Sequence, residues 1–172
     1  KFDFIVMNPP FSDKDWTDGI KPSEDKYKRF DGYGIPPEKN GDYAWFLHVL
    51  KALDSNGKAG IILPHGVLFR GNSEETIRKA VLEKRYIKGI VGLPANLFYG
   101  TGIPASLLIV NKSKKDDKIL FINADAEYKE GKNQNLLRPE DIEKINYVYQ
   151  NKVVLDKYSK LVSLKDIEKE NF

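Results

Sequence analysis

FDFIVMNPPF, residues 2–11, is the stretch on which the reading of the whole chain turns. Phe2 to Met7 is an apolar run broken only by Asp3, too short for a helix and halted by two prolines. It reads as a strand buried on both faces, the type found in parallel sheets. Proline lacks a backbone N–H, and a residue preceding proline is pushed to an extended conformation. Asn8-Pro9-Pro10-Phe11 is therefore a turn poor in donors and rich in acceptors at the end of a strand.

Outward from this turn the chain alternates. Lys58 to Leu63 (KAGIIL), stopped by Pro64, is a second buried strand. Tyr86 to Leu93 (YIKGIVGL) and Ala105 to Val110 (ASLLIV) are a third and fourth, separated by a Gly/Pro-rich connection, and Lys118 to Ile122 (KILFI) is a fifth at a sheet edge. Between the first two strands, Asp42 is placed as the N-cap of a helix from about Tyr43 to Leu53, closed by Asn56-Gly57. Asn72 or Ser73, with Glu75, opens a second helix reaching about Lys84. Residues 12–41 hold no sustained period and carry Gly19, Gly32, Gly34, Pro36, Pro37 and Gly41, which marks a long loop, and loops of that length in compact domains are usually functional or mobile. The charged run 112–118 is a solvated turn. Residues 126–172, with a helix from about Pro139 to Gln150, form a small, polar, peripheral extension of helical and irregular character. Strand–helix alternation of this kind builds a layered α/β sheet, whose ligands sit beyond the carboxyl ends of the strands.

Composition narrows the possibilities. At 172 residues and 41% hydrophobic, the chain has the length of one globular domain with a real core. With 28 Lys+Arg against 25 Asp+Glu the net charge is only +3, so any nucleic-acid contact is local rather than a matter of bulk charge. No cysteine is present, which excludes disulfides and thiolate zinc sites, and two histidines do not support a His-rich metal centre. No apolar stretch approaches the length of a membrane span, and the expectation is a cytoplasmic protein without a membrane partner.

The chemistry available at Asn8-Pro9-Pro10-Phe11 is specific. The Asn8 side-chain oxygen and a carbonyl of the Pro9 region can converge on a planar –NH₂ group and accept one hydrogen each. An aryl amine is a poor nucleophile because its lone pair is delocalised into the ring; two acceptors that favour a tetrahedral nitrogen redirect that lone pair outward, toward an electrophile held in line. Phe11 offers a face on which a planar substrate can stack.

NPPF after an apolar strand resembles motif IV of the S-adenosylmethionine-dependent amino-methyltransferases, which act on N6 of adenine or, with a close variant, on glutamine amides. Three further blocks, GDYAWFLHVL (41–50), GKAGIILPHGVLFRG (57–71) and GLPANLFYGTGIPASLLIVNK (92–112), resemble the modification (M) subunit of type I restriction–modification systems over about residues 2–125. The resemblance implies the second half of a Rossmann-like methyltransferase sheet, mixed in strand direction and with helices on its faces, within residues 1–125. It implies adenine-N6 methylation of DNA with S-adenosyl-L-methionine as cofactor, and partners that include DNA and the specificity (S) and restriction (R) subunits.

Residue by residue, Asn8, Pro9 and Pro10 match the catalytic turn and Phe11 the aromatic that stacks on a base extruded from the duplex, since a paired adenine hides N6. Phe98 and Tyr99 lie where related enzymes set a second aromatic against that base; packing in the core is the competing role. Asp42 and Tyr43 fall in a block that contacts or shapes the cofactor pocket, against helix capping and core packing. His65 could be a general base or a capping and packing residue, and Arg70 a phosphate contact or a salt-bridge partner. Gly100, Gly102 and Pro104 shape a tight turn.

One part of the family pattern is missing from these residues. GYG at 32–34 and GTG at 100–102 do not stand in the strand-to-helix context of a cofactor motif. The sequence begins where the family's fourth strand begins, which implies a carboxyl-terminal piece of the subunit that alone neither binds S-adenosylmethionine tightly nor methylates DNA. It also leaves Phe2 to Met7 as an edge open to self-association. Two other functions stay open at this point: a non-catalytic subunit-interaction domain, and a protein-glutamine N-methyltransferase, which shares NPP but has no reason to carry the other blocks.

Overall fold

The computed structural model describes residues 1–113, 115–170 and 172. Lys114, within the charged turn expected at 112–118, and Asn171, near the end of the C-terminal extension, lie outside the described residues. The elements follow as β1 (Phe2–Met7), α1 (Asp42–Ala52), β2 (Leu53–Pro64), α2 (Ser73–Glu83), β3 (Ile87–Gly92), β4 (Ala105–Asn111), β5 (Lys118–Asn123), α3 (Pro139–Asn151), β6 (Ser159–Ser163) and α4 (Leu164–Lys169). The strands form one mixed sheet in the order β1-β2-β4-β3-β5-β6. β1 pairs parallel with β2, and β3 with β5, whereas β4 runs antiparallel between β2 and β3.

Side-chain alternation along the central strands splits the core in two. Ala59, Ile61, Leu63, Leu108 and Val110 face α1 and α2, packing against Phe46, Leu47, Val49, Ile77 and Val81. Val91, Leu120 and Ile122 face the other way, toward Val148 of α3, joined there by Leu107, Ile109 and Tyr149. The α/β class and the mixed sheet with helices on its faces are thus as expected.

Four boundaries differ from the sequence reading, each for a physical reason. β1 is not buried on both faces: Phe4 is 73% and Val6 91% exposed, because β1 has a strand neighbour on one side only and no described helix covers that face. Ile5 and Met7, on its other face, pack against the larger core. β5 is not an edge, since β6 pairs with it antiparallel from Lys118–Ser163 to Ile122–Ser159.

Asp42 is the first residue of α1 rather than its cap, and its amide donates to Asn40 Oδ1 at 3.1 Å. Asn56-Gly57 does not close the helix but lies within β2, where the register against β1 shifts between Phe2 and Phe4. A Cβ at Gly57 would stand 2.9 Å from the Phe2 carbonyl oxygen, so the close approach of the two strands there needs glycine.

The long loop 12–41 does exist, apart from a single 3-10 turn at Pro22–Glu24, and its ordering comes from two buried aromatics. Trp16 and Phe30 meet edge-to-face at 5.7 Å, and the Trp16 indole N–H donates to the Pro37 carbonyl at 2.9 Å. The Gly41 amide donates back to the Asp13 carbonyl at 2.8 Å, closing the loop at the start of α1.

The two faces of the sheet predict opposite tolerances. Leu63→Ala, in the closed core, is expected to lower stability by about 2–5 kcal/mol, whereas Val6→Ser on the open face is expected to stay within about 0.5 kcal/mol. Urea unfolding of the 172-residue chain measures both; equal losses would contradict the layering.

Candidate functional site

Since β4 is antiparallel to both β2 and β3, the strands β1, β2, β3 and β5 all run in one direction and end on one edge of the sheet. That edge is where an α/β sheet receives ligands. Asn8–Phe11 leave β1 there, His65–Arg70 leave β2, and residues 93–104 leave β3 and return as β4.

The double proline gives its turn a distinct form. Pro9 is buried while Asn8 and Pro10 are exposed, and Phe11 is half-buried. Directly after it, Ser12 adopts φ +52°, a left-handed conformation uncommon for a residue with a Cβ. Across a cleft of about 310 Å³ the residues Asn8–Phe11 face Phe98, Tyr99, Gly100 and Thr101. Phe11 and Phe98 touch edge-to-face, with centroids 5.6 Å apart and planes at 72°. Tyr99 is 94% exposed at the rim. The two segments suspected from the sequence, separated by some ninety residues, therefore share one cleft.

The second wall is braced by a segment that sequence reasoning put on the periphery. The Asn135 amide donates to the Asn96 carbonyl at 2.7 Å, its side-chain amide to the Ala95 carbonyl at 2.9 Å, and Gln134 Nε2 to the Leu97 carbonyl at 3.2 Å. Asn96 at φ +53° and Gly100 at φ +77° turn the chain sharply around Phe98. Gly102 and Pro104 close the same loop: the Asn96 amide donates to the Gly102 carbonyl at 3.2 Å, and the His65 amide to the Pro104 carbonyl at 3.2 Å. Nothing local in the stretch around Gln134 and Asn135 signals this role, because its partners are some forty residues upstream.

Asp42 and Tyr43 sit elsewhere. The Asp42 carboxylate is 0% exposed; Oδ1 accepts the Ser12 amide at 2.7 Å, and Oδ2 accepts Arg70 Nη2 at 2.5 Å. The Tyr43 hydroxyl donates to the Val67 carbonyl at 2.7 Å, and burial pushes its ionisation well above the ordinary phenol range. Neither lines the cleft. Arg70 does not lie free for phosphate: its Nε also stands 2.7 Å from Glu74 Oε2, and burial pushes the Glu74 carboxyl up despite that cation. Arg78 completes the group, donating through Nη1 to the Arg70 carbonyl at 2.8 Å and to the Val67 carbonyl at 3.3 Å. Among the described residues no three His, Asp or Glu side chains stand together as a metal site.

Comparison with known proteins gives the family of the chain. The family model for N-6 DNA methylases matches residues 1–172. The chain is 41% identical over 150 residues to the type I restriction enzyme MjaIX methylase subunit of Methanocaldococcus jannaschii, covering 84% of the chain and 27% of that protein. It is 38% identical to the MjaVIII methylase subunit of the same organism, covering 100% of the chain and 30% of that protein. Among solved structures it is similar to the type I restriction-modification system methyltransferase subunit from Streptococcus thermophilus, with TM-score 0.88 and 39% identity over 99% of the chain and 36% of that protein. The chain thus spans about a third of the length of these relatives.

His65 gives this edge of the sheet a measurable pH signature. Burial holds its imidazole below the ordinary range, with Asp125 pulling weakly the other way. Protons then bind the unfolded chain first, so the His65 contribution to stability is full above about pH 6.5 and declines as pH falls through that value. Urea midpoints measured between pH 7.5 and 5.5 are expected to fall less steeply in His65→Gln than in the parent; identical slopes would contradict the assignment.

Proposed function

The chain belongs to the N-6 DNA methylase family, and on that premise we propose that its Asn8-Pro9-Pro10-Phe11 turn holds the exocyclic amine of an adenine extruded from duplex DNA. The observation that carries this reading is the single cleft in which residues 8–11 face Phe98 and Tyr99. The Asn8 side-chain oxygen and the Pro9 carbonyl accept the two amine hydrogens, and the nitrogen lone pair is turned outward. Donor-free prolines on either side keep competing N–H groups away from that nitrogen. Phe11 stacks on the ring from one side and Phe98 from the other.

Stacked aromatic rings keep centroids about 4.5–7 Å apart. At 5.6 Å from Phe11, Phe98 already occupies the place of the base. The base therefore enters by displacing the Phe98 ring. His65 is not needed as a base: the acceptors orient the amine, and the nitrogen, strongly acidic once its lone pair has formed the new N–C bond, releases one proton to solvent.

S-adenosylmethionine, the methyl donor of this class of enzyme, would supply an electrophilic methyl group. Asp42 and Tyr43, the positions suspected of meeting it, do not fit that role: both are buried and engaged with Ser12, Arg70 and Val67. The proposal is accordingly that residues 1–125 carry the adenine half of a methyltransferase domain and that these 172 residues alone do not methylate DNA. In the complete subunit the specificity and restriction subunits of a type I system are the expected partners. The exposed Phe4 and Val6 of β1 favour a further contact, either with more of the same protein or with a second copy through the strand edge.

Two measurements test the assignment. In the complete methylase subunit, Asn8→Ala is expected to lower kcat for adenine methylation on the order of 10²-fold or more, with KM for S-adenosylmethionine little changed; parent-like turnover would overturn it. Calorimetric titration of the 172-residue chain with S-adenosylmethionine is expected to give no micromolar binding, and a clear micromolar isotherm would refute the half-site assignment.

A further inference from the structure

We propose that Asp42 is a positioning residue for the Asn8–Phe11 turn: its buried carboxylate holds the Ser12 amide, and Arg70 holds the carboxylate. The inference rests on the reading of residues 8–11 as the amine-holding turn.

The physical need for such a group comes from the prolines. Positions 9 and 10 have no N–H, so the turn cannot be fixed by its own backbone donors. The nearest available anchors are the amides of Phe11 and Ser12, and Ser12 is bound at 2.7 Å to Asp42 Oδ1, thirty residues along the chain. Ser12 also pays for its position with a left-handed φ of +52°, a conformation that persists only where the surroundings impose it. The Ser12 hydroxyl reaches the second carboxylate oxygen at 3.5 Å.

The anchor is itself fixed from two sides. Asp42 opens α1, where a negative charge is favoured by the helix dipole. Arg70 closes on its other oxygen at 2.5 Å and on Glu74 at 2.7 Å, while Arg78 binds the Arg70 carbonyl. The segment leaving β2 is thereby tied to the segment leaving β1 through one carboxylate. With both oxygens engaged and no accessible surface, Asp42 has nothing left to offer a cofactor or base directly. It acts on the reaction only through the place it gives Phe11 and the carbonyls before it.

The test uses the complete methylase subunit carrying Asp42→Ala, with Arg70→Gln as a milder variant because Arg70 is partly exposed. Hydrogen exchange is read on the peptide spanning residues 8–13, in which the two prolines leave only the amides of Phe11, Ser12 and Asp13 besides its terminal residue, and fragmentation of that peptide reads Ser12 separately. Steady-state methylation gives kcat and KM for S-adenosylmethionine separately. Expected for Asp42→Ala are Ser12 exchange at least tenfold faster, kcat lower by about one to two orders of magnitude, and KM for S-adenosylmethionine within twofold; Arg70→Gln moves the same quantities in the same direction by less.

Unchanged exchange and kcat would overturn the proposal, as would a raised KM for the cofactor with kcat retained. Should Asp42→Ala fail to fold, Arg70→Gln decides by the same readouts. Should the parent subunit methylate no adenine, the functional reading fails on its own, and the exchange of Ser12 alone decides whether Asp42 holds the turn.

Discussion

β4 runs antiparallel between two strands that point the other way, and the arrangement of the site depends on that insertion. Its ladder with β2 runs from Lys58–Asn111 to Pro64–Ala105, and its ladder with β3 ends at Gly92–Ser106. Because β4 enters the sheet at the edge where β3 leaves it, residues 93–104 cannot cross to the far side and must fold over the carboxyl ends. The Leu93 amide bonded to the Ala105 carbonyl at 2.8 Å pins the loop's base. Phe98 in that loop lies on the same edge of the sheet as the turn that follows β1, and Phe11 meets it there. A sheet of purely parallel strands would have sent that connection back across a face through a helix.

A second constraint is electrostatic. Asp42, Glu74, Arg70 and Arg78 form a largely buried cluster of two carboxylates and two guanidinium groups. Removing such charges from water is costly unless geometry and hydrogen bonds compensate. Here Arg70 bridges both carboxylates, and Arg78 spends its donors on backbone carbonyls of Val67, Arg70 and Phe172. Glu74 bears part of the cost, its carboxyl pushed up by burial. What the cluster secures is relative position: the starts of α1 and α2, the connection after β2 and the turn after β1 are held to one another.

Much of this was legible from residue order. Continuous apolar runs ended by proline marked β1 and β2, and the resemblance to type I modification subunits, rather than residue order itself, pointed to the Asn-Pro-Pro-Phe and Asn-Leu-Phe-Tyr stretches that face one another across the cleft. What escaped was nonlocal. β6 is five residues with a single buried position, too short and too polar to stand out by pattern, yet it pairs along β5. Asp42 has the composition of an N-cap, and only the distant Ser12 and Arg70 reveal that its carboxylate is spent across the chain instead. The bracing of Ala95–Leu97 by Gln134 and Asn135 consists mostly of bonds to backbone carbonyls, which leave no trace in side-chain periodicity.

On the proposed reading, an adenine amine is received by Asn8 and Pro9 between two phenylalanines. A crystal structure of the complete methylase subunit bound to an adenine-bearing duplex tests it most directly. Expected is one adenine out of the stack, its ring between Phe11 and a displaced Phe98, and its N6 within hydrogen-bonding distance of the Asn8 side-chain oxygen and the Pro9 carbonyl. An adenine held elsewhere in the protein, or a Phe11–Phe98 contact left closed with the base extruded, would contradict it.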